Sequence, residues 1–308
     1  MAERRRGRKI NGWLVIDKPA GLTSAAVVSR VRRATGAAKA GHGGTLDPLA
    51  TGVLPLALGE ATKTVSYVME GRKIYRFTVR WGEQRDTDDA EGQSIAFSEL
   101  RPSRSEIVAA LGRFQGEIEQ IPPTFSAIKV AGERAYALAR ADRPVELPAR
   151  TVHVARIELV DCPDADHAIF EVDAGKGVYM RALARDLGTV LGCLGHVVAL
   201  RRLSVGPFRE TEAISLEKLE ILGHSVELQT YLLPVGAALA GIPALNLTEA
   251  EANSLQRGQP IAVLPVASRS PSSQISRDVV VCAMARGKPV ALAQIKGGEI
   301  HPLRILNL

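Results

Sequence analysis

One loop constrains the fold more than any other stretch of the sequence. It runs Gly41-His42-Gly43-Gly44-Thr45-Leu46-Asp47-Pro48-Leu49-Ala50-Thr51-Gly52. Pro48 fixes its own φ and disfavours the α region for Asp47, and the paired glycines let a ligand approach the backbone closely. Thr45 and Thr51 can anchor the loop by side-chain hydrogen bonds to nearby backbone. The loop therefore presents a single carboxylate on a stiff backbone.

An Asp-Pro pair between glycines is most simply a surface turn. The residues that follow argue for a different position, because they form an apolar run of Leu49, Val53, Leu54, Leu56 and Leu58. A turn tip leads into solvent, whereas this acid leads into a segment that must be buried. We therefore predict that Asp47 lies beside the core.

Length, charge and cysteine content limit the class of protein. A chain of 308 residues predicts one large and one small domain. A net charge of +6 and a pI near 9.4 favour an anionic partner, either nucleic acid or an acidic membrane. Cys162, Cys193 and Cys282 form no Cys-x-x-Cys pair, which argues against a zinc site or a disulfide framework and suits a reducing compartment.

The apolar stretches do not predict a signal peptide or a membrane span. The run at 13–16 is too short for a signal peptide. The uncharged stretch at 231–247 contains two prolines and two glycines, which favour a loop or a domain junction. We expect a soluble, cytoplasmic protein.

Periodicity predicts the elements around the loop. We expect a strand at 12–17, a helix that Thr23 or Ser24 caps and Gly36 ends, and a short helix at 62–69. A strand at 73–81 places Tyr75 on a mostly apolar face, so Tyr75 is either a core tyrosine or an exposed functional ring. Ser103 and Glu106 form a capping box for a helix that reaches residue 111.

The segment Arg85-Asp86-Thr87-Asp88-Asp89-Ala90-Glu91-Gly92 is the densest acidic cluster. It departs from the calcium-loop pattern, since Ala90 occupies a ligand position and Gly92 is displaced by one residue. We therefore favour a role without metal.

Between residues 151 and 202, the periodicity predicts a strand pair at 151–160 and 167–174, a helix that ends near Leu191, and a strand at 195–202. Arg181 stands at the start of that helix, where the macrodipole disfavours a cation. We therefore predict that it has an acidic partner, and we propose Asp47.

Residues from about 245 form a different unit. Thr248 and Glu251 make a capping box, and Gly258 ends the helix. Short strands are predicted at 261–266, 278–285, 290–295 and 303–306, with a loop at 268–276. The pattern indicates a small β-barrel carrying one helix.

Five blocks, in order and spacing over about residues 11–208, resemble the bacterial tRNA pseudouridine-55 synthases of the TruB family. They are Asp17-Lys18-Pro19-Ala20-Gly21-Leu22-Thr23-Ser24, the loop from His42 to Pro55, the strand containing Tyr75, the segment Gln120-Ile121-Pro122-Pro123-Thr124-Phe125-Ser126-Ala127-Ile128-Lys129 and the strand from Gly195 to Arg202. Gly43 stands where many members carry Thr. The C-terminal unit resembles a PUA-type RNA-binding domain.

The resemblance implies an α+β fold: a pseudouridine synthase catalytic domain on a mixed, mainly antiparallel sheet flanked by helices, plus a small C-terminal PUA-like β-barrel. It implies a basic flexible tail at 1–10, a catalytic domain at 11–240 and an RNA-binding domain at 245–308. An excursion at about 120–150, with Lys129, Arg134 and Tyr136, would clamp the RNA.

The implied activity is isomerisation of uridine to pseudouridine at position 55 in the tRNA T-loop. This reaction changes neither oxidation state nor composition, so it needs no cofactor and no metal. The expected partner is the T-arm of tRNA, with no membrane and no obligate protein partner, and the chain is expected to be a monomer.

The resemblance also implies the site residues. Asp47 is the catalytic acid, and Arg181 would keep it ionised and oriented. Tyr75 would stack on the flipped base, and Tyr179 and Leu200 would line the pocket.

His42 would support the rearranged RNA loop, and Lys18 would form the pocket edge. Simpler alternatives stay open: Leu200 as core, His42 as a loop hydrogen-bonder and Lys18 as a surface turn charge. Two other functions also stay open: an RNA-folding chaperone whose chemistry is secondary, and an enzyme that uses Asp47 as a magnesium-dependent phosphoryl acceptor.

Overall fold

Two sheets carry most of the strands, a large one of ten strands and a smaller one of five. The computed structural model describes residues 7–126, 128–130, 132–141, 143, 146–223, 225–270 and 279–308. Predictions for the basic tail at 1–6, for the loop at 271–276 and for the side chains of Lys129, Arg134 and Tyr136 lie outside what is described.

In chain order the strands are β1 (Gly12–Lys18), β2 (Ala40–His42), β3 (Thr51–Leu58), β4 (Lys73–Trp81), β5 (Glu83–Arg85), β6 (Ser94–Phe97), β7 (Gly116–Gln120), β8 (Lys129–Val130), β9 (Glu133–Arg134), β10 (Arg150–Asp161), β11 (His167–Ala174), β12 (Gly195–Val205), β13 (Phe208–Arg209), β14 (Ile214–Ser215), β15 (Ala244–Asn246), β16 (Ile261–Ala262), β17 (Val280–Ala285), β18 (Lys288–Lys296) and β19 (Glu299–Ile305). The α-helices are α1 (Ser24–Thr35), α2 (Val65–Glu70), α3 (Arg104–Leu111), α4 (Ala135–Arg140), α5 (Met180–Val190), α6 (Leu216–Leu222), α7 (Glu249–Gln256) and α8 (Val263–Ala267). Short 3₁₀ segments lie at Gly59–Thr64, Gly112–Phe114, Glu210–Glu212, Val226–Tyr231 and Val235–Leu239.

The large sheet has the order β14-β1-β3-β12-β4-β11-β10-β7, with β2 beside β3 and β13 beside β12. The pairs β1–β14 and β3–β12 run parallel, and the other neighbours run antiparallel. The predicted mixed, mainly antiparallel sheet is confirmed. The parallel pair β3–β12 brings the end of the Asp47 loop against a strand about 150 residues further along the chain.

The large sheet buries apolar side chains on both faces. Along β1, Leu14 and Ile16 pack in the core that includes helices α1, α3, α5 and α6, whereas Trp13 and Val15 pack in a second core on the opposite face. Because side chains alternate along a strand, a strand buried on both faces has a continuous apolar sequence. This explains the apolar runs in β1 and β3.

Local signals fix several element ends as the sequence predicts. Thr23 caps α1 by accepting a hydrogen bond from the backbone N–H of residue 26, and Gly36 follows with φ of 66°. Both predicted capping boxes are present, at the starts of α3 and α7. The predicted strands at 73–81, 151–160, 167–174 and 195–202 are confirmed, with β10 and β12 a few residues longer.

Two predicted elements differ in the structure. The strand predicted at 261–266 is wrong beyond residue 262, because the chain turns into α8. Pro265 explains this: it cannot donate to a sheet ladder, but it lies in the first turn of a helix, where backbone N–H groups have no intrahelical partner. The helix predicted at 62–69 is a 3₁₀ segment, Gly59–Thr64, followed by α2.

The smaller sheet has the order β15-β17-β18-β19-β16 and curls into half a barrel, consistent with a PUA-like domain. One of its faces packs with α7 in a core of its own. From the other face Cys282, Leu292 and Leu306 join the second core of the large sheet, together with Val235 and Leu239. Among the described residues, no helix combines the length and apolar character needed to cross a membrane.

Candidate active site around Asp47

The Asp47 loop is fixed on both sides of the carboxylate by side chains from other elements. Ser24, at the start of α1, donates its hydroxyl to Leu46 O at 3.0 Å and accepts from Leu46 N at 2.8 Å. On the far side, Lys18 Nζ donates to Pro48 O at 3.1 Å. These contacts leave the backbone of Asp47 little freedom, which is the condition for a preorganised carboxylate.

A buried guanidinium holds the first half of the loop. Arg202 on β12 donates to Val53 O at 2.9 Å, to Thr45 O at 3.3 Å and to Gly44 O at 3.1 Å. Thr45 therefore contributes its carbonyl oxygen, and its exposed side chain is not the predicted anchor. Thr51 does make a side-chain hydrogen bond, but its partner is Leu200 O on β12 and not the nearby loop backbone that we predicted, and the bond is long, at 3.4 Å.

Two glycines are required by close packing. Gly52 has φ of 97°, and a Cβ there would lie 2.3 Å from Arg202 O, so only glycine lets β3 start against β12. Gly43 has no unusual φ, but a Cβ there would lie 2.7 Å from Val68 Cγ1. The small residue at position 43 is therefore matched to a large one on α2.

Arg181 and Asp47 form the ion pair that the sequence predicts. Arg181 Nη2 lies 3.0 Å from Asp47 Oδ2, with Arg181 about 5% exposed and Asp47 about 36% exposed. The guanidinium also donates to Thr87 O and Phe125 O, both at 2.9 Å. A buried cation thus faces a carboxylate that opens to solvent on its other side.

The acidic cluster at 86–92 lies behind this pair. Its carboxylates pair with arginines and accept hydrogen bonds from neighbouring residues. Asp89 Oδ2 is 3.5 Å from Arg181 Nη1, and its other oxygen accepts from Thr87 Oγ1 at 2.6 Å. Asp88 accepts from Arg185 at 2.9 Å, and burial raises the pKa of Asp88 to about 6 although the arginine opposes the shift. In the described part of the chain, no three His, Cys, Asp or Glu side chains are placed to share a metal ion.

The predicted aromatic residues border the same site. Tyr75, on β4, is half-buried and packs against the main core, so it is neither a full core residue nor a free surface ring. Tyr179 is the N-cap residue of α5. Burial raises the pKa of Tyr179, and the nearby Asp47 charge acts in the same direction while Arg181 opposes it. Leu200 is 9% exposed and belongs to the main core.

Lys18 is fully buried, so the alternative of a surface turn charge is wrong. Its ammonium group donates to Pro19 O, Leu22 O and Pro48 O at 2.8, 2.7 and 3.1 Å. Burial lowers the pKa of Lys18 to about 8, and the charge of Asp47 works against that shift. The lysine therefore lies under the loop and supports it from within.

His42 lies on β2, partly buried, at the start of the loop. Burial lowers its pKa, and the nearby Arg202 lowers it further. Its Nδ1 is buried without a hydrogen-bond partner, so the interpretation of His42 as a loop hydrogen-bonder finds no bond at that atom.

Sequence reasoning missed Ser24 as a loop anchor, Arg202 as the buried cation and Gln120, whose side-chain amide pairs with the backbone of Tyr179. For Ser24 a signal was present, because two adjacent cap candidates leave one free for another task. For Arg202 there was none, because its partners are carbonyl oxygens about 150 residues away.

Comparisons with known proteins identify the family of this chain. The sequence matches the TruB family pseudouridylate synthase (N terminal domain) over residues 32–180 and the tRNA pseudouridylate synthase B C-terminal domain over residues 181–240. A tRNA pseudouridine synthase B of Rhodospirillum rubrum is 56% identical over 100% of both chains. Proteins of the same name from Gluconacetobacter diazotrophicus and Caulobacter vibrioides are 53% and 50% identical, over 98% and 100% of this chain and 99% and 100% of theirs.

Solved structures support the fold. The structure of a Cbf5-Nop10-Gar1 complex matches with a TM-score of 0.76 and 26% identity, over 96% of this chain and 85% of that chain. A chain of an H/ACA RNP bound to a substrate RNA matches with a TM-score of 0.74 and 24% identity, over 96% and 85% of the two chains. With its sheet, its Asp47 loop and these matches, the chain belongs to the TruB family of pseudouridine synthases.

Proposed function

We propose that this chain isomerises uridine to pseudouridine at position 55 in the T-loop of tRNA, with Asp47 as the catalytic carboxylate. The observation that carries the proposal is the contact of 3.0 Å between Arg181, a buried arginine on α5, and Asp47, which lies on a loop anchored at both sides. A carboxylate held in this way and open to solvent on one side has room for a nucleotide.

The chemistry matches a single carboxylate. The N1–C1′ bond of the uridine breaks and a C5–C1′ bond forms, while the proton on C5 leaves and N1 ends as N–H. No electrons and no atoms are gained, so no redox partner or group donor enters the balance. Asp47 acts on the sugar or the base, and Arg181 orients it in a partly dry site.

The target base must leave its RNA stack before Asp47 can reach it. We propose that Tyr75 stacks on the flipped base, because it is only partly buried on β4, the strand next to β12. Tyr179 and Leu200 would line the pocket. Lys18, predicted at the pocket edge, would support the pocket from below. His42 would contact the rearranged RNA loop.

We further propose that a catalytic unit at 11–240 selects the uridine and that the unit at 245–308 adds contacts to the tRNA backbone. Backbone contacts strengthen binding but carry little information about which base reacts. We also propose that the chain acts as a monomer without an obligate protein partner. Since the proposed substrate is tRNA, we place the protein in the cytoplasm.

The test is incubation of the purified protein with an unmodified tRNA transcript, followed by chemical detection of pseudouridine at each position. We expect one modified uridine, in the T-loop, without added cofactor or metal. A transcript in which that uridine is replaced by cytidine is the matched control and should gain no pseudouridine. Modification elsewhere, or none, contradicts the proposal.

A further inference from the structure

Gln120 is a buried residue that contacts the backbone of Tyr179 at the active site. It is the last residue of β7, and its side chain is about 1% exposed. Gln120 Oε1 accepts from Tyr179 N at 2.8 Å, and Gln120 Nε2 donates to Tyr179 O at 3.1 Å. The oxygen and the nitrogen of one buried amide thus both hydrogen-bond to the backbone of a single residue, 59 positions away.

This contact fixes the start of helix α5. Tyr179 is the N-cap residue, with φ of −103° and ψ of 118°, and its own side chain makes no capping hydrogen bond. The first N–H groups of a helix have no intrahelical partner, so an acceptor from elsewhere must satisfy them or water must. Gln120 supplies that acceptor at the cap, and Arg181 stands two residues further along.

The segment after β7 has few backbone donors near its start. Residues 122 and 123 are both prolines and have no N–H to donate. Beyond Gln120, the segment contributes carbonyl oxygens: Arg185 donates to Ile121 O at 2.7 Å, and Arg181 donates to Phe125 O at 2.9 Å. These bonds hold the arginines, whereas the backbone of Tyr179 is held by Gln120.

We propose that Gln120 is a positioning residue for catalysis: its side-chain amide sets the backbone at Tyr179, and through the start of α5 it sets where Tyr179 and Arg181 lie relative to Asp47. The inference rests on the proposed function, because it assigns Gln120 to the same site. A shift of about 1 Å in such groups can slow a reaction about 100-fold.

The test begins with Gln120→Leu, which is similar in size and removes both hydrogen bonds. We expect a single-turnover rate about 10- to 100-fold lower, with the dissociation constant for tRNA changed less than about threefold because the buried side chain of Gln120 is not itself a contact surface for RNA. Gln120→Glu adds a signature: a carboxylate can accept from Tyr179 N but cannot donate to Tyr179 O, and a protonated acid can do both. Its rate relative to wild type should therefore rise as the pH is lowered.

The matched control is Ile157→Ala, which lowers stability by a core cavity. Ile157 is about 1% exposed on β10, seven residues from Arg150, the residue that pairs with Gln120, and therefore about 23 Å along the strand. This variant should keep the wild-type rate wherever it is folded. If Gln120→Leu loses no more rate than Ile157→Ala at equal folded fraction, or if the rate of Gln120→Glu relative to wild type does not depend on pH, the proposal is overturned.

Amide hydrogen exchange of Tyr179 separates this inference from the proposed function, since it needs no activity. We expect faster exchange at Tyr179 in Gln120→Leu than in Ile157→Ala, because only the former loses the acceptor. Equal exchange in the two variants overturns the inference even in an active enzyme. A wild-type protein that makes no pseudouridine overturns the proposed function, and the exchange result then decides whether Gln120 positions Tyr179.

Discussion

Replacing Arg181 with methionine tests how one buried cation serves two carboxylates. Arg181 lies 3.0 Å from Asp47 and 3.5 Å from Asp89, and it is about 5% exposed. Asp47 is about 36% exposed, whereas Asp89 is about 4% exposed. Water can solvate Asp47 when the arginine is removed, but it cannot reach Asp89.

The magnitudes follow from that difference. Leaving a buried charge without its partner costs about 3–5 kcal/mol, whereas losing an exposed pair costs about 1 kcal/mol or less. The variant Arg181→Met should therefore lose about 3–5 kcal/mol of unfolding free energy, mostly through Asp89. Adding Asp89→Asn should recover most of this loss, because an amide oxygen can still accept from Thr87 Oγ1 and Glu91 N, as the carboxylate does. The unpaired oxygens of Thr87 and Phe125 keep the recovery incomplete.

Urea denaturation gives the stabilities, and single-turnover pseudouridine formation on tRNA gives the activities. We expect the double variant to be more stable than Arg181→Met yet equally inactive, because Asp47 still lacks its cation. Asp89→Asn alone is the control for the new amide. The reasoning is refuted if the second substitution restores no stability, or if it restores activity without the arginine.

Three further predictions concern the pocket, the loop and the pH dependence of stability. Tyr75→Phe should keep tRNA binding. Because Tyr75 is half-buried, Tyr75→Leu should lose catalysis with only modest destabilisation. If thermal melts instead show that Tyr75→Leu loses several kcal/mol of stability while its folded fraction stays active, Tyr75 has a core role. Gly43→Thr should cost about 1–3 kcal/mol through overlap with Val68, and Val68→Ala should relieve most of it in a double-mutant cycle; additive effects contradict the steric explanation. Burial raises the pKa of Asp88 from 3.8 to about 6, so between these pH values the native state binds more protons than the unfolded state, and this contribution to stability falls by about 2 kcal/mol as the pH rises from 4 to 6. Asp88→Asn should remove that slope in urea titrations at pH 4 and 7, and an unchanged slope contradicts the assignment.

Elements whose ends are set by nearby residues could be predicted from the sequence. Helix α1 starts at a Thr23 cap and ends before Gly36 because both signals act within a few residues. The strand order could not be predicted in this way. β3 pairs with β12, about 150 residues away, and nothing in the loop specifies that partner.

The same contrast between local signals and long-range contacts applies to the active site. The Asp47–Arg181 pair was predictable because a cation at a helix start needs an anion. Arg202 was not, because it bonds carbonyl oxygens, which every residue carries. The burial of Lys18 could not be predicted for a related reason: a lysine between a strand and a proline usually faces solvent, and its burial depends on three carbonyl oxygens that only the folded loop brings together.

The central claim is that the ionised carboxylate of Asp47 carries the reaction. Asp47→Asn tests it most directly, because asparagine keeps the size of the side chain but cannot ionise, while Ser24, Lys18 and Arg202 still hold the loop. The measurement is the single-turnover rate of pseudouridine formation at saturating tRNA, made beside a binding titration and a melting curve. We predict no detectable product, with tRNA affinity and melting temperature close to those of the unsubstituted protein. A folded Asp47→Asn variant that retains even about a tenth of the original rate, a loss of only about 1.4 kcal/mol in the barrier, would contradict the claim.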